Sequence, residues 1–123
     1  MKRVLVLDDD EDFLELYKDT LTEAGFEVSL HSSALTAVEY LEHSPVQAII
    51  TDLKMPGING INFFRLVESK GLLIHPFVVI SGYYEDRDSN LRYLGVDKVF
   101  QKPVKFDKLI AYIDEFITNG YAI

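Results

Sequence analysis

Val4-Leu5-Val6-Leu7-Asp8-Asp9-Asp10 opens the chain: four apolar residues that end abruptly in acids. A run this apolar fits a strand covered by helices on both faces, as at the centre of a parallel sheet. Acids directly after it stand where the chain leaves the sheet. Asp10 can cap a helix over 11–24 that carries Phe13, Leu14, Tyr17, Leu21 and Ala24 on one face and stops at Gly25. A buried strand followed by an amphipathic helix is the unit from which the rest of the chain is built.

The unit recurs. Apolar runs at 26–30, 46–50, 77–80 and 96–100 each precede a helical pattern. Those at 46–50 and 77–80 are nearly all apolar, like the first. Those at 26–30 and 96–100 contain polar residues and read as sheet edges. Ser32 or Ser33 opens a second helix with Leu35, Val38 and Leu41, which ends before Pro45. Asn59 caps a third with Ile61, Phe64, Leu66 and Val67, ending near Gly71. Residues 86–94 form a short polar helix. Residues 105–118 carry Phe106, Leu109, Ile110, Ile113 and Ile117 at i, i+3, i+4, i+7 and i+11. The order (βα)5 predicts an open, doubly wound α/β sheet, because parallel neighbours need right-handed crossovers. If the first strand is central, sites form outside the carboxyl ends of the strands, where the winding reverses.

Composition narrows the function classes. The chain has 123 residues, 48% hydrophobic and 26% charged, which excludes a disordered or collagen-like polypeptide. One domain over 1–123 is expected, with its core at 2–117 and a short tail at 118–123. Twelve Lys and Arg against twenty Asp and Glu give a net charge of −8. Phosphates repel such a chain, so no direct nucleic-acid binding is expected. Cysteine is absent, which excludes disulfides, thiolate metal sites and catalytic thiols and agrees with a reducing cytoplasm. The run at 4–7 is too short for a signal peptide or a membrane span.

Four of the five strand ends carry polar or charged groups: Asp8 to Asp12, Thr51-Asp52, Ser81-Gly82, and Gln101-Lys102-Pro103. In the order 2-1-3-4-5, strands 1 and 3 are neighbours ~4.8 Å apart, and Asp8, Asp9 and Asp52 would converge. Two unit charges at ~4 Å repel by about 1 kcal/mol in water and about 4 kcal/mol at an effective dielectric of 20. Three carboxylates therefore call for a proton or a cation. Their all-oxygen donor set suits a hard divalent ion, Mg²⁺ first. Lys102 can supply a fixed positive charge at the same edge. Capping of the next helix is the alternative for the acids, and Asp10, Glu11 and Asp12 suit it. A calcium loop beginning at Asp8 fails because Phe13 stands where Gly is required.

An Asp at the end of a buried strand followed by Pro56-Gly57 and Gly60 is what an accessible carboxylate nucleophile needs, though a plain strand-to-helix loop reads the same way. The Ser81 hydroxyl could donate to a phosphoryl oxygen, and Gly82 lets a bulky anion approach the backbone N–H. Lys102-Pro103 is a place where a cis peptide can occur, although X–Pro bonds are mostly trans. His31, His43 and His75 show no metal spacing and read as surface or capping residues.

Together VLVLDDD, IITDLKMPGING, VVISG and KVFQKP resemble, in order and spacing, the receiver domain of two-component response regulators over nearly the whole chain. The resemblance implies a flavodoxin-like fold with strand order 2-1-3-4-5. It implies that Asp52 accepts a phosphoryl group from a phosphohistidine on a sensor histidine kinase or a histidine phosphotransfer protein. It implies Mg²⁺ held by Asp9 directly, by Asp8 through water, by Asp52 and by the backbone carbonyl of Lys54. Lys102 would pair with the phosphoryl group, and Ser81 and the Gly82 N–H would donate to it. The chain's own phosphorylation and dephosphorylation would be its only catalysis. A downstream protein would read the outcome, or the phosphate would pass onward in a phosphorelay, and a phosphorylation-linked homodimer is among the partners such a domain admits. With so few residues after the last helix, a stand-alone cytoplasmic receiver is expected, without membrane insertion.

One position departs from the family pattern. An aromatic residue usually lies three positions before the Lys and swings inward when the Ser or Thr moves, and here Val99 stands there. Phe100 should face the other side of the sheet, so Tyr83 or Tyr84 is the candidate replacement. Tyr112 and Phe116 lie beside the core stripe of the last helix; they are candidate interface residues, and partial burial is the simpler account of them. Two rivals differ in class. One is a degenerate receiver that docks partners without phosphorylation. The other is an aspartate-nucleophile phosphatase of the haloacid-dehalogenase type, whose Asp-x-Asp-x-Thr/Val pattern Asp12 interrupts.

Overall fold

The computed structural model describes residues 2–82 and 94–121. Five parallel strands, β1 (Arg3–Leu7), β2 (Glu27–His31), β3 (Ala48–Asp52), β4 (Phe77–Ser81) and β5 (Lys98–Gln101), form one sheet in the order β2-β1-β3-β4-β5. Four helices are described: α1 (Glu11–Glu23), α2 (Ala34–His43), α3 (Gly60–Ser69) and α4 (Phe106–Asn119). The short polar helix expected at 86–94, together with Tyr83 and Tyr84, falls on or runs into residues outside the described ones. β3 and β4 are buried throughout, whereas β2 and β5, with their polar residues, are the edges.

Alternation along the strands builds two cores. Leu5, Leu7, Ile49, Phe77 and Val79 meet α2 and α3 on one face. Val4, Val6, Ile50, Val78 and Ile80 meet α1 and α4 on the other. A strand shifted by one residue would exchange its two sets, so burial on both faces specifies the register.

Local chemistry sets the helix starts. The Asp10 carboxylate accepts the N–H groups of Asp12 and Phe13, Ser33 accepts that of Thr36, and Asn59 accepts that of Asn62. These caps satisfy amides that the first turn leaves without intrahelical partners. At the other end, α4 runs to Asn119, past the expected boundary at 117–118, and stops at Gly120 in the left-handed conformation, φ 82°. Two packing expectations change. Leu35 is 72% exposed, because the buried stripe of α2 is Ala34, Ala37, Val38 and Leu41 and leaves position 35 outside. On α3 the fully buried aromatic pair is Phe63 and Phe64, with Ile61 and Leu66 at its margins.

Register carries this architecture to the site. Leu7 pairs with Thr51, Asp52 with Ile80, and Ser81 with Gln101. Asp8, Asp52, Ser81 and Lys102 therefore lie on adjacent strands, at or one step past their carboxyl ends.

Candidate functional site

Asp8 and Asp52 are buried at the carboxyl ends of the interior strands β1 and β3, and Asp9 is exposed beside them. Carboxylate oxygens of all three lie within 4.8 Å of one another. Lys102 reaches in from the end of β5, its Nζ donating to Asp52 Oδ2 at 3.1 Å. The Lys102 N–H donates to the Ser81 carbonyl at 2.8 Å and the Leu53 N–H to the Ile80 carbonyl at 2.9 Å, which ties the three strand ends together. The Lys102–Pro103 peptide is cis, the reverse of the expectation from sequence.

Burial is the largest influence on Asp8 and pushes its carboxyl up to about 6, and the charges of Asp52 and Asp9 act in the same direction. The Asp10 N–H, which donates to Asp8 Oδ1 at 2.9 Å, and the Lys102 ammonium oppose them. Tyr17, buried on α1, has its hydroxyl pushed above the ordinary tyrosine range, by burial first and then by Asp8 and Asp52.

The remaining candidates sit around this centre. Ser81 is buried and its hydroxyl donates to the Gly82 carbonyl at 3.2 Å. Gly82 is half-buried, and Lys54 is exposed in the loop after β3. Gly57 turns that loop with φ 86°, and the Gly60 N–H donates to the Leu53 carbonyl at 2.7 Å. Val99 packs with the α2–α3 core, and Phe100 with the α1–α4 core. Phe100 meets Tyr112 edge-on at 5.9 Å, so it takes the face opposite Val99. Tyr112 and Phe116 are half-buried neighbours with ring centroids 6.0 Å apart.

Two contacts escape a reading of local sequence. The Phe13 ring lies with its centroid 5.8 Å from Lys102 Nζ. Gly60 packs against the Asp52 carbonyl, where a side chain would collide. In the first case the partners lie at opposite ends of the chain. In the second, Pro56-Gly57 signals a turn but not the close approach that follows it. Among the histidines, His31 is half-buried between Ser29 and Thr36, at 2.7 Å and 3.0 Å, and His75 meets Asp97 at 2.7 Å.

Residues 4–114 match the family model of the response regulator receiver domain. The chain belongs to this family. It is thus a receiver domain of the kind found in the response regulators of two-component systems. It is 30% identical over 123 residues to the transcriptional regulatory protein CusR of Escherichia coli (strain K12), covering 98% of this chain and 53% of CusR. It is 30% identical over 110 residues to a putative response regulator, NtrX-like, of Rickettsia typhi, covering 87% of this chain and 23% of that protein. The receiver thus spans about half of the first relative and less than a quarter of the second. A receiver-domain crystal structure from Clostridium thermocellum has the same fold, with a TM-score of 0.88 at 24% identity over 98% of this chain and 97% of that one. No helix among the described residues is long and apolar enough to cross a membrane.

Proposed function

We propose that this receiver is a phosphoacceptor in two-component or phosphorelay signalling, with Asp52 as the residue phosphorylated. The observation that carries the reading is the 3.1 Å approach of Lys102 Nζ to Asp52 Oδ2, beside a carboxylate cluster spanning no more than 4.8 Å. A carboxylate oxygen of Asp52 attacks phosphorus and forms a P–O bond. The P–N bond to a donor histidine breaks, and the imidazole leaves with the electron pair and takes up a proton. Lys102 pairs with the transferred group, while the Ser81 hydroxyl and the Gly82 N–H donate to its oxygens. Such transfer depends on positioning and charge neutralisation more than on covalent work by the protein.

The donor set of Asp8, Asp9 and Asp52 is all oxygen and fits a hard divalent cation. Mg²⁺ held by these three and the Lys54 carbonyl would supply further charge neutralisation at the phosphoryl oxygens. The donor is a sensor histidine kinase or a histidine phosphotransfer protein, and the output is a downstream protein, onward relay or a phosphorylation-linked homodimer. The domain works in the cytoplasm, where an absence of cysteine fits a reducing environment.

Intact-mass spectrometry after incubation with acetyl phosphate and Mg²⁺ tests this, with Asp52→Asn and an EDTA control in parallel. One phosphoryl mass is expected on wild type and on neither control. A folded, Mg²⁺-binding wild type that gains no mass from acetyl phosphate or from a histidine phosphotransfer donor favours a phosphorylation-independent docking module. Val99 in the place of the usual aromatic is the feature that keeps that second reading open.

A further inference from the structure

Lys102 is a flexible cation that must stand in one place. An ammonium on a flexible four-carbon stem loses rotamer entropy when fixed, so holding it over a reacting carboxylate requires neighbours that restrict it. Asp52 Oδ2 is one neighbour, at 3.1 Å. Phe13 is another, its ring centroid 5.8 Å from the same Nζ, inside the ~6 Å within which an aromatic face attracts a cation.

The position of Phe13 is itself constrained. It lies in the first turn of α1, and its N–H donates to the Asp10 carboxylate at 3.3 Å. The backbone that carries Asp8 and Asp9 therefore also carries this ring. One turn further on, Tyr17 meets Phe106 edge-on, with centroids 5.3 Å apart and planes at 74°. Phe106 begins α4, four residues after Lys102. Residues i and i+4 share a helix face. So α1 grips the Lys102 segment at two successive points: Tyr17 holds the start of α4, and Phe13 holds the Lys102 head group.

We propose that Phe13 is a positioning residue for Lys102: its ring face holds the ammonium beside Asp52 and couples it to the acidic loop, a role that needs an aromatic face and not merely apolar bulk. The consequence for phosphorylation rests on the phosphoacceptor reading above. Leucine at 13 would keep much of the apolar packing and lose the π face, whereas tyrosine would keep both.

The test compares wild type, Phe13→Leu and Phe13→Tyr. Phosphorylation by acetyl phosphate with Mg²⁺ is followed by intact mass, and the Lys102 ε-methylene resonance is followed by NMR on lysine-labelled protein, assigned with Lys102→Arg. Phe13→Leu is expected to slow phosphorylation about fivefold, the scale of a partly desolvated cation–π contact, and Phe13→Tyr to stay within about twofold of wild type on the same scale. The Lys102 ε-methylene protons are expected upfield in wild type and Phe13→Tyr, and unshifted in Phe13→Leu. Wild-type rates in Phe13→Leu, or Phe13→Tyr as slow as Phe13→Leu, overturn the proposal. So does an unshifted Lys102 resonance in wild type, a measurement that needs no variant at position 13. A wild type that takes up no phosphoryl group from acetyl phosphate or from a histidine phosphotransfer donor overturns the phosphoacceptor reading, and the Lys102 resonance then decides by itself whether Phe13 holds the ammonium.

Discussion

A methyl group on Gly60 would place its Cβ 2.7 Å from the carbonyl oxygen of Asp52. The same Cβ would stand 3.1 Å from the Leu53 Cα, so backbone crowds it from two sides and no side-chain rotation can relieve the clash. Gly60 is needed here for close approach. Gly60→Ala is expected to push α3 away from the end of β3 and to destabilise the protein by about 1–3 kcal/mol, the usual cost of overpacking. Because the strain falls on the backbone of Asp52, phosphorylation by acetyl phosphate should slow by more than the loss of folded protein explains. Thermal melts run beside intact-mass time courses check both. Unchanged stability and rate would mean that the loop yields freely.

Asp8 links the site to pH. Its carboxyl titrates near 6 in the fold, against 3.8 unperturbed, and burial is the main cause. The folded protein therefore holds a proton between these values that the unfolded chain has released, and stability contributed by Asp8 falls as pH rises through that window. Asp8→Asn, which can still accept the Asp10 N–H, removes this cost. In metal-free urea unfolding, the variant should gain on wild type by about 1–3 kcal/mol between pH 4 and pH 7. A stability difference that does not change with pH would place the Asp8 carboxyl at its ordinary value. Mg²⁺ bound as proposed would compete for the same oxygen atoms, so wild-type affinity for the ion should weaken as pH drops below about 6.

How much of this was legible in the sequence depends on the range of each signal. A doubly wound parallel sheet followed from the alternating strand and helix patterns, and its edges from the polar residues in 26–30 and 96–100, whereas the order 2-1-3-4-5 was implied by the family resemblance. Caps at Asp10, Ser33 and Asn59 are local chemistry, and two of the three could be placed to the residue. Asp8 and Asp52 could be brought together only by assuming strand order. Their neighbourhood rests on the pairing of Leu7 with Thr51. The misplacement of Leu35 shows the limit of periodicity: on a ten-residue helix, two stripes one residue apart fit the apolar pattern almost equally well. The Phe13–Lys102 contact and the crowding at Gly60 are tertiary, and nothing within a few residues of either position announces them.

His31 has the opposite sign from Asp8. Burial lowers its pKa below 6.5, and its ring nitrogens lie 2.7 Å from Ser29 Oγ and 3.0 Å from Thr36 Oγ1. The fold favours the neutral ring, so this contribution to stability is complete above 6.5 and declines as pH falls below it. His31→Gln does not titrate. The stability of wild type relative to this variant should drop as pH is lowered from 7 to 5, and proton NMR should place the His31 midpoint below 6.5. A midpoint at or above 6.5 would contradict the buried environment.

Lys102 should act on the metal and on the phosphoryl group in opposite senses. Its ammonium lies 3.1 Å from Asp52, one of the three carboxylates expected to bind a divalent cation. Before phosphorylation it is a like charge beside that ion. Lys102→Met keeps much of the apolar stem and removes the charge. Solvent reaches Lys102 and screens the repulsion, so the gain should sit at the low end of the Coulomb range, with Mg²⁺ binding about three- to tenfold tighter. Phosphorylation should nevertheless slow by about tenfold or more, because the charge proposed to meet the transferring group is lost. Isothermal titration with MgCl₂ and an acetyl phosphate time course on the same preparation separate the two effects. Tighter metal binding with slower phosphorylation is the expected pair. Weaker metal binding in Lys102→Met would mean that the ammonium organises the carboxylates more than it repels the ion, and the charge argument would fail at its first step.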